Sequence, residues 1–357
     1  MGRVFYCTRE EVQDAFDVRE AAHRSAQIDQ AIASASDDID GWLNRHKHGL
    51  APRTATRYFN WPGRDYSASW RLWLDENEIV SVTTLTAGTT VIASSDYFLE
   101  PVNSGPPYTY IEIDQGSSAS FTNTNTSQRA ISILGVFGIG DDQAPAGALA
   151  EALDSSETAV DVTDASLVGV GDVLLVDSER MVVTGRQALA TTQVLGSAMN
   201  ALKNDQTVDV VNGALLHVGE ILLIDNERMK IVDISGNNAT VVRAYDGSTL
   251  AAHLLGATIY ALRTLTVERG ALGTTAAAHD TAEAVTKWDV PSLVRALCRA
   301  EAITRLEQEF SAYGARVYSD EAERDSSGTE VVSGRGLTDL RKSCARRYKR
   351  KFRKRAV

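Results

Sequence analysis

Residues 160–183, VDVTDASLVGVGDVLLVDSERMVV, recur as residues 208–231, VDVVNGALLHVGEILLIDNERMKI, at a constant offset of 48 with no gap. A second pair sits at an offset of 26. Residues 239–259, ATVVRAYDGSTLAAHLLGATI, recur as residues 265–285, LTVERGALGTTAAAHDTAEAV. The order along the chain is front half, front half, back half, back half. The inner pair, residues 192–262, is joined by a short turn at Ser235–Asn238 and forms one uninterrupted module. The outer pair, residues 145–188 and 264–286, is a second copy split by the first. This order predicts one module inserted into a hairpin loop of its homologue, because loop tips tolerate insertion and closing a longer loop costs little. Short alternating apolar runs bounded by Gly, Asn and Asp predict an all-β fold for each module.

The repeat also sorts the chemically interesting residues. Asp177-Ser178 and Asp225-Asn226 fall where a hairpin turn is needed. Glu179, Arg180, Glu227 and Arg228 are expected to leave that turn as an exposed or paired set, with ion or ligand binding as the competing reading. His253 and His279 occupy equivalent positions, which predicts one hydrogen-bonding job per module. A shared metal site would need carboxylates or further histidines at ligand spacing, and none repeats beside them along the chain. Gly135-Val-Phe-Gly138-Ile-Gly140 lacks the Gly-Lys-Ser/Thr ending of a phosphate loop and runs into Asp141-Asp142. No Gly-x-Ser-x-Gly or His-Glu-x-x-His string occurs. No catalytic set, cofactor or metal is therefore expected, and the chain reads as a non-enzyme. Cys7, Cys298 and Cys344 are far apart and odd in number, which predicts isolated reduced thiols. His46 and His48, among Arg45 and Lys47, are expected to be solvated.

The flanks have a different texture. Thr8 and Glu11 match a capping box ahead of Val12, Ala15 and Phe16. Ile28, Ile32, Ala35, Ile39, Trp42 and Leu43 predict a helix over 20–46. Alternation at 69–74, 79–85, 91–99, 108–114 and 131–136 predicts strands, with Ala87-Gly88 as a turn and 115–128 as loop. After Val290-Pro291, Leu293, Leu297, Ala300, Ile303, Leu306, Phe310 and Tyr313 predict a helix of about six turns ending at Gly314. Residues 315–336 read as a polar link and 337–352 as a short basic helix. Nothing at the start resembles a signal peptide, and no window is apolar enough to span a membrane, so a cytoplasmic origin is expected. The net charge of −11 hides ten Lys and Arg within residues 341–357. Without them residues 1–340 carry −21. A basic tail on an acidic body predicts an acidic partner surface or nucleic acid for the tail.

The flanks resemble the head–tail connector, or adaptor, proteins of long-tailed phages. The resemblance rests on Ile39-Asp-Gly-Trp-Leu43, Arg57-Tyr-Phe-Asn-Trp-Pro62, Arg71-Leu-Trp-Leu74, Ile79-Val-Ser-Val82, Asp96-Tyr-Phe-Leu-Glu-Pro101, Pro107-Tyr-Thr-Tyr-Ile111, Ile131-Ser-Ile-Leu-Gly-Val-Phe-Gly138 and Val290-Pro291, in that order. The Asp-x-Glu-Arg-Met and Gly-x-Thr-x-Ala-Ala-His strings of the modules are similar to segments of phage structural proteins. The resemblance implies an α+β chain: a discontinuous helical-bundle scaffold with a small β-sheet element (residues 1–140 and 287–357), carrying the two nested β-modules. It implies a homo-oligomeric ring of twelve copies in the virion neck, made in the host cytoplasm. Its partners would be the portal, a head-completion (stopper) or tail-terminator protein, and double-stranded DNA passing through without specific contact. The C-terminal segment becomes a docking arm for portal or DNA: Arg341, Lys342, Arg346, Arg347, Tyr348, Lys349, Arg350, Lys351, Phe352, Arg353, Lys354 and Arg355. Competing readings are a tail or decoration protein that uses the modules on host surfaces, and a DNA-binding accessory protein that uses the basic tail. Tyr245 and Tyr260 are the only Phe, Trp or Tyr within 148–287, which disfavours sugar stacking.

Overall fold

The computed structural model describes residues 4–15, 25–45, 49–62, 69–310 and 335–350. Phe16, His46, Lys47, His48, the link at 315–334 and Lys351–Arg355 lie outside the described residues. The chain divides into two compact units. One comprises residues 1–38, 143–271 and 275–344; the other comprises 39–142, 272–274 and 345–357.

The second unit corrects the helical-bundle expectation. It is built on two antiparallel sheets rather than on packed helices. Strands β1 (Arg53–Phe59), β3 (Ile79–Ala87), β4 (Thr90–Ile92) and β7 (Ile131–Phe137) form one sheet in the order β1-β7-β3-β4. Strands β2 (Arg71–Trp73), β5 (Tyr97–Glu100) and β6 (Tyr110–Ile113) form another, ordered β2-β6-β5. The period of two that runs through 53–137 explains this: every second side chain faces one core. Leu72, Leu74, Ile79, Leu85, Ile111, Ile131, Ile133 and Phe137 are all buried in it. The strand expected over 91–99 is broken by a single turn at Ser94–Asp96. Of the described residues 37 % are strand and 22 % helical, which a bundle cannot be.

The first unit contains the repeats. Its sheet runs β12 (Thr207–Asp209), β15 (Asn238–Val242), β14 (Glu227–Ser235), β13 (Ile221–Ile224), β16 (Thr258–Glu268), β11 (Glu179–Val194), β10 (Val173–Val176), β17 (Ala284–Trp288) and β8 (Gln143–Ala148), with β9 (Ala159–Asp161) also on β16. Two separate cores form within it. One gathers Leu149, Leu153, Val160, Val162, Leu174, Val176, Met181, Leu265, Val267 and Val285. The other gathers Leu195, Met199, Val208, Val210, Leu222, Ile224, Met229, Val241, Ile259 and Ala261. Hairpin pairings superpose across the copies: Val173 pairs Val182, and 48 residues on Ile221 pairs Lys230. The long antiparallel ribbon of β11 and β16 passes from one core to the other. Its register shifts three times on the way, between Val183 and Val194.

Four α-helices occur among the described residues. Helix α1 (Arg9–Gln13) opens with the Thr8 capping box: the Glu11 N–H donates to the Thr8 hydroxyl at 3.2 Å, and the Thr8 N–H to the Glu11 carboxylate at 2.9 Å. Helix α2 (Ser25–Trp42) buries Ile28, Ile32, Ala35 and Ile39, as its spacing predicts. Helix α3 (Ser292–Phe310) buries Val294, Leu297, Cys298, Ala302 and Leu306. That stripe is turned relative to the one expected, so Leu293, Ala300 and Ile303 are half-buried. Helix α4 (Arg335–Tyr348) closes the described chain. No described helix is long and apolar enough to cross a membrane.

Gly135 lies mid-strand in β7, where the register with β3 shifts on both sides. A Cβ at this position would overlap the Ser81 carbonyl oxygen. Because backbone cannot yield as a side chain tip can, Gly135→Ala should destabilise the second unit by about 1–3 kcal/mol. Thermal denaturation of the variant against the parent checks this.

Candidate functional site

The β10–β11 turn places Asp177 in the left-handed region (φ 51°) and starts β11 with Glu179. Arg269 follows the end of β16, and His279 lies in the back half opposite Leu153. These four side chains converge. The Arg269 guanidinium donates Nε and Nη2 to the two Glu179 oxygens at 2.7 and 2.8 Å. Its remaining N–H groups go to the carbonyls of Asp154, Glu157 and Ala277, at 2.6–2.8 Å. All five donors of the fork are thus used. Glu179 also accepts the backbone N–H groups of Gly270 and Ala277, both at 2.9 Å. His279 bridges the carboxylates, with Nε2 2.9 Å from Glu179 and Nδ1 2.7 Å from Asp177.

The inner module repeats this atom for atom. Arg243 donates to Glu227 at 2.7 and 2.8 Å and to the carbonyls of Asn200, Asp205 and Ala251. Ala244 and Ala251 N–H groups donate to Glu227, both at 2.9 Å. His253 bridges Glu227 and Asp225 at 3.0 and 2.7 Å. Glu179 and Glu227 are buried, with 1 % and 0 % exposure. Each carboxylate therefore pairs with an arginine of the opposite half. The adjacent Arg180 is itself buried, and Arg228 is joined to Asp246. The histidines do have carboxylates repeating beside them. Turn geometry and strand pairing bring together what the sequence spacing keeps apart.

Burial alone would raise both carboxyls. The arginine, the alanine N–H, the histidine and the second backbone N–H outweigh it and hold Glu179 and Glu227 at about 2. Their oxygens are already fully occupied as acceptors, so the arrangement ties chain segments together and leaves no lone pair for a ligand. Among the described residues no group of three or more His, Cys, Asp or Glu is placed to hold a metal ion.

The two copies differ at buried positions, as at Val173 and Ile221 or Leu265 and Ala239, and also on the surface. Leu254 and Leu255 are 79 % and 68 % exposed, and Val211 is 68 % exposed. Their counterparts in the outer module are Asp280, Thr281 and Thr163. The inner module thus exposes three large apolar side chains where the outer one has polar residues.

The basic segment is partly committed to internal pairs. Arg341 clasps Glu301 of α3 through two bonds, 2.5 and 2.8 Å. Arg350 is buried; it is joined to Glu78 at 3.3 Å, and its Nη1 donates to the Asn44 carbonyl at 3.1 Å. Glu78 is shared with Arg45, whose guanidinium also donates to the Tyr348 carbonyl at 3.2 Å. The Arg350 N–H donates to the Leu43 carbonyl at 3.0 Å. Arg346 and Arg347 lie exposed in the last turn of α4, the Arg347 guanidinium 5.5 Å from the Tyr348 ring; Lys342 is exposed earlier on the helix, and Lys349, also exposed, follows it. The Gly135–Gly140 string runs from inside β7 past its end, so it is not a phosphate loop opening a helix. No protein-family model, curated protein or solved structure matches the chain.

Because the two buried carboxyls are depressed on folding, their stabilising contribution is complete above the ordinary value near 4.5. It is lost as the pH falls from there toward about 2. The melting temperature should therefore drop steeply across that window. Glu179→Gln or Glu227→Gln should cost about 3–5 kcal/mol at neutral pH, by leaving a buried arginine unpaired, and should flatten the acid limb. Thermal melts from pH 7 to pH 2 check both.

Proposed function

We propose that this chain is a structural assembly protein of a phage particle: a subunit of an oligomeric ring between portal and tail, through whose channel double-stranded DNA passes and on which the next neck protein docks. One observation carries the reading. Six of the eight strings that resemble connector proteins, between residues 57 and 138, become β1, β2, β3, β5, β6 and β7 of a single unit with a single core, while Ile39–Leu43 falls at the end of α2 and Val290-Pro291 leads into α3 of the other unit. Segments kept in order because they build one domain are what a shared fold requires, whereas unrelated strings would have no reason to share a core. The ring scaffold in this proposal is β-rich and not a helical bundle.

The nested modules fit a structural role. The Glu, Arg and His side chains of the cluster that recurs in both copies are consumed in closing the modules on themselves. The arm retains the exposed cations of α4 and the residues beyond it for portal or DNA, while Arg341 and Arg350 are held within the subunit.

Electron microscopy of the purified full-length chain, with mass determined by light scattering, tests the proposal. Closed rings of about twelve copies with a central channel are expected. A chain that stays monomeric at tens of micromolar and shows no rings alone or with portal would overturn it.

A further inference from the structure

The thiols of Cys7 and Cys298 stand 3.4 Å apart, although 291 residues separate them in sequence. Both are buried, so the expectation of isolated thiols does not hold for this pair. Cys7 precedes the cap of α1, and Cys298 lies on the buried stripe of α3. Ser36 of α2 completes the cluster: its hydroxyl is 3.4 Å from the Cys298 sulfur and accepts the Tyr6 N–H at 3.2 Å. The segment carrying Cys7 is clamped on the outer module. The Arg9 N–H donates to the Val170 carbonyl at 3.1 Å, and the Val170 N–H donates to the Glu10 carboxylate at 2.8 Å. Tyr6 packs edge-on against Trp288.

We propose that Cys7 and Cys298 form an oxidisable dithiol pair, converted by a hydroperoxide into a disulfide that staples the N-terminal clamp to α3. The Cys298 thiolate attacks the peroxide, the O–O bond breaks, and hydroxide leaves Cys298 as a sulfenic acid. Cys7 sulfur then attacks Cys298 Sγ. The S–O bond breaks, and the Cys7 proton leaves with the oxygen as water. Two thiols and one hydrogen peroxide give one disulfide and two waters, the sulfurs losing the two electrons that the peroxide gains. A disulfide bond is about 2.05 Å long, so the sulfurs must approach by about 1.4 Å. Side-chain rotation and a small shift of Phe5–Cys7, which is neither helix nor strand, supply that movement.

The roles of the two sulfurs follow from their surroundings. Burial raises the Cys298 thiol, but the Cys7 S–H, the Ser36 hydroxyl and the backbone N–H groups of Tyr6 and Cys7 outweigh it and hold it below its ordinary value. Cys7, which donates to Cys298 and is buried, is raised. Of the two, Cys298 loses its proton more readily and takes the attacking role, and Cys7 the resolving one. Cys344 is buried on α4, and burial raises it to about 11, which makes it an internal control.

The full chain, purified with reductant and then treated with hydrogen peroxide, should yield a crosslink between peptides Val4–Arg9 and Ala296–Arg299 in a non-reducing tryptic digest. Cys344 should still alkylate after unfolding. The oxidised chain should melt about 5 °C higher, a gain reversed by dithiothreitol. Cys7→Ser should abolish both crosslink and gain. The proposal is overturned if Cys7 and Cys298 alkylate as free thiols after peroxide, if they oxidise separately to sulfinic acids, or if either crosslinks to Cys344 instead. The wild-type digest decides the matter even where the variant fails to fold.

Discussion

Each β-module is closed by one buried carboxylate. Glu179 and Glu227 come from the front halves; Arg269, His279, Arg243 and His253 come from the back halves. For the outer module this closure is long-range. Its front and back halves are separated by a whole inner module, so the pair must form across an insertion of about 75 residues. Loop-closure entropy rises only slowly with length, and a fully satisfied polar cluster in a dry core is strongly directional. Five donors on each arginine meet five acceptors, which leaves one way to fit the halves together. Apolar packing supplies driving force; the cluster supplies register. This division matters in a sheet whose central ribbon changes register three times.

The same logic explains why two cores stay separate although one sheet runs through both. β11 and β16 are shared, but their inward residues divide: Met181, Val183, Leu265 and Val267 face one core, and Ile259 and Ala261 the other. Buried positions diverge as well, as at Leu265 and Ala239, but a change from polar to large apolar is found on the outside. Polar Asp280 and Thr281 in one copy stand where the other has Leu254 and Leu255, while the four cluster residues are kept in both.

Much of this was legible in the residues. The two offsets, 48 and 26, give the nesting, and the period of two over 53–137 gives the strands. The acid–base cluster was half visible. Asp177/Asp225, Glu179/Glu227, Arg243/Arg269 and His253/His279 each recur at matched positions, which is the signal that could have joined them. Reading the histidines beside their sequence neighbours hid it, because the carboxylates lie 26 to 102 residues away. Two features carried no local signal. Cys7 and Cys298 meet through tertiary packing alone. Arg350 finds Glu78 across 272 residues. The helical bundle was an inference from resemblance, and residues 53–137 do not have the period that helices need.

A double-mutant cycle on Glu179 and Arg269 bears most directly on the claim that a single buried pair closes the outer module across its insertion. Unfolding free energies would be measured for Glu179→Gln, Arg269→Leu and the double variant. If the pair closes the module, the double variant should lose much less than the sum of the singles, with a coupling of about 1.5–3 kcal/mol. Losses that add to within about 0.5 kcal/mol would show that the two groups act independently and would contradict it.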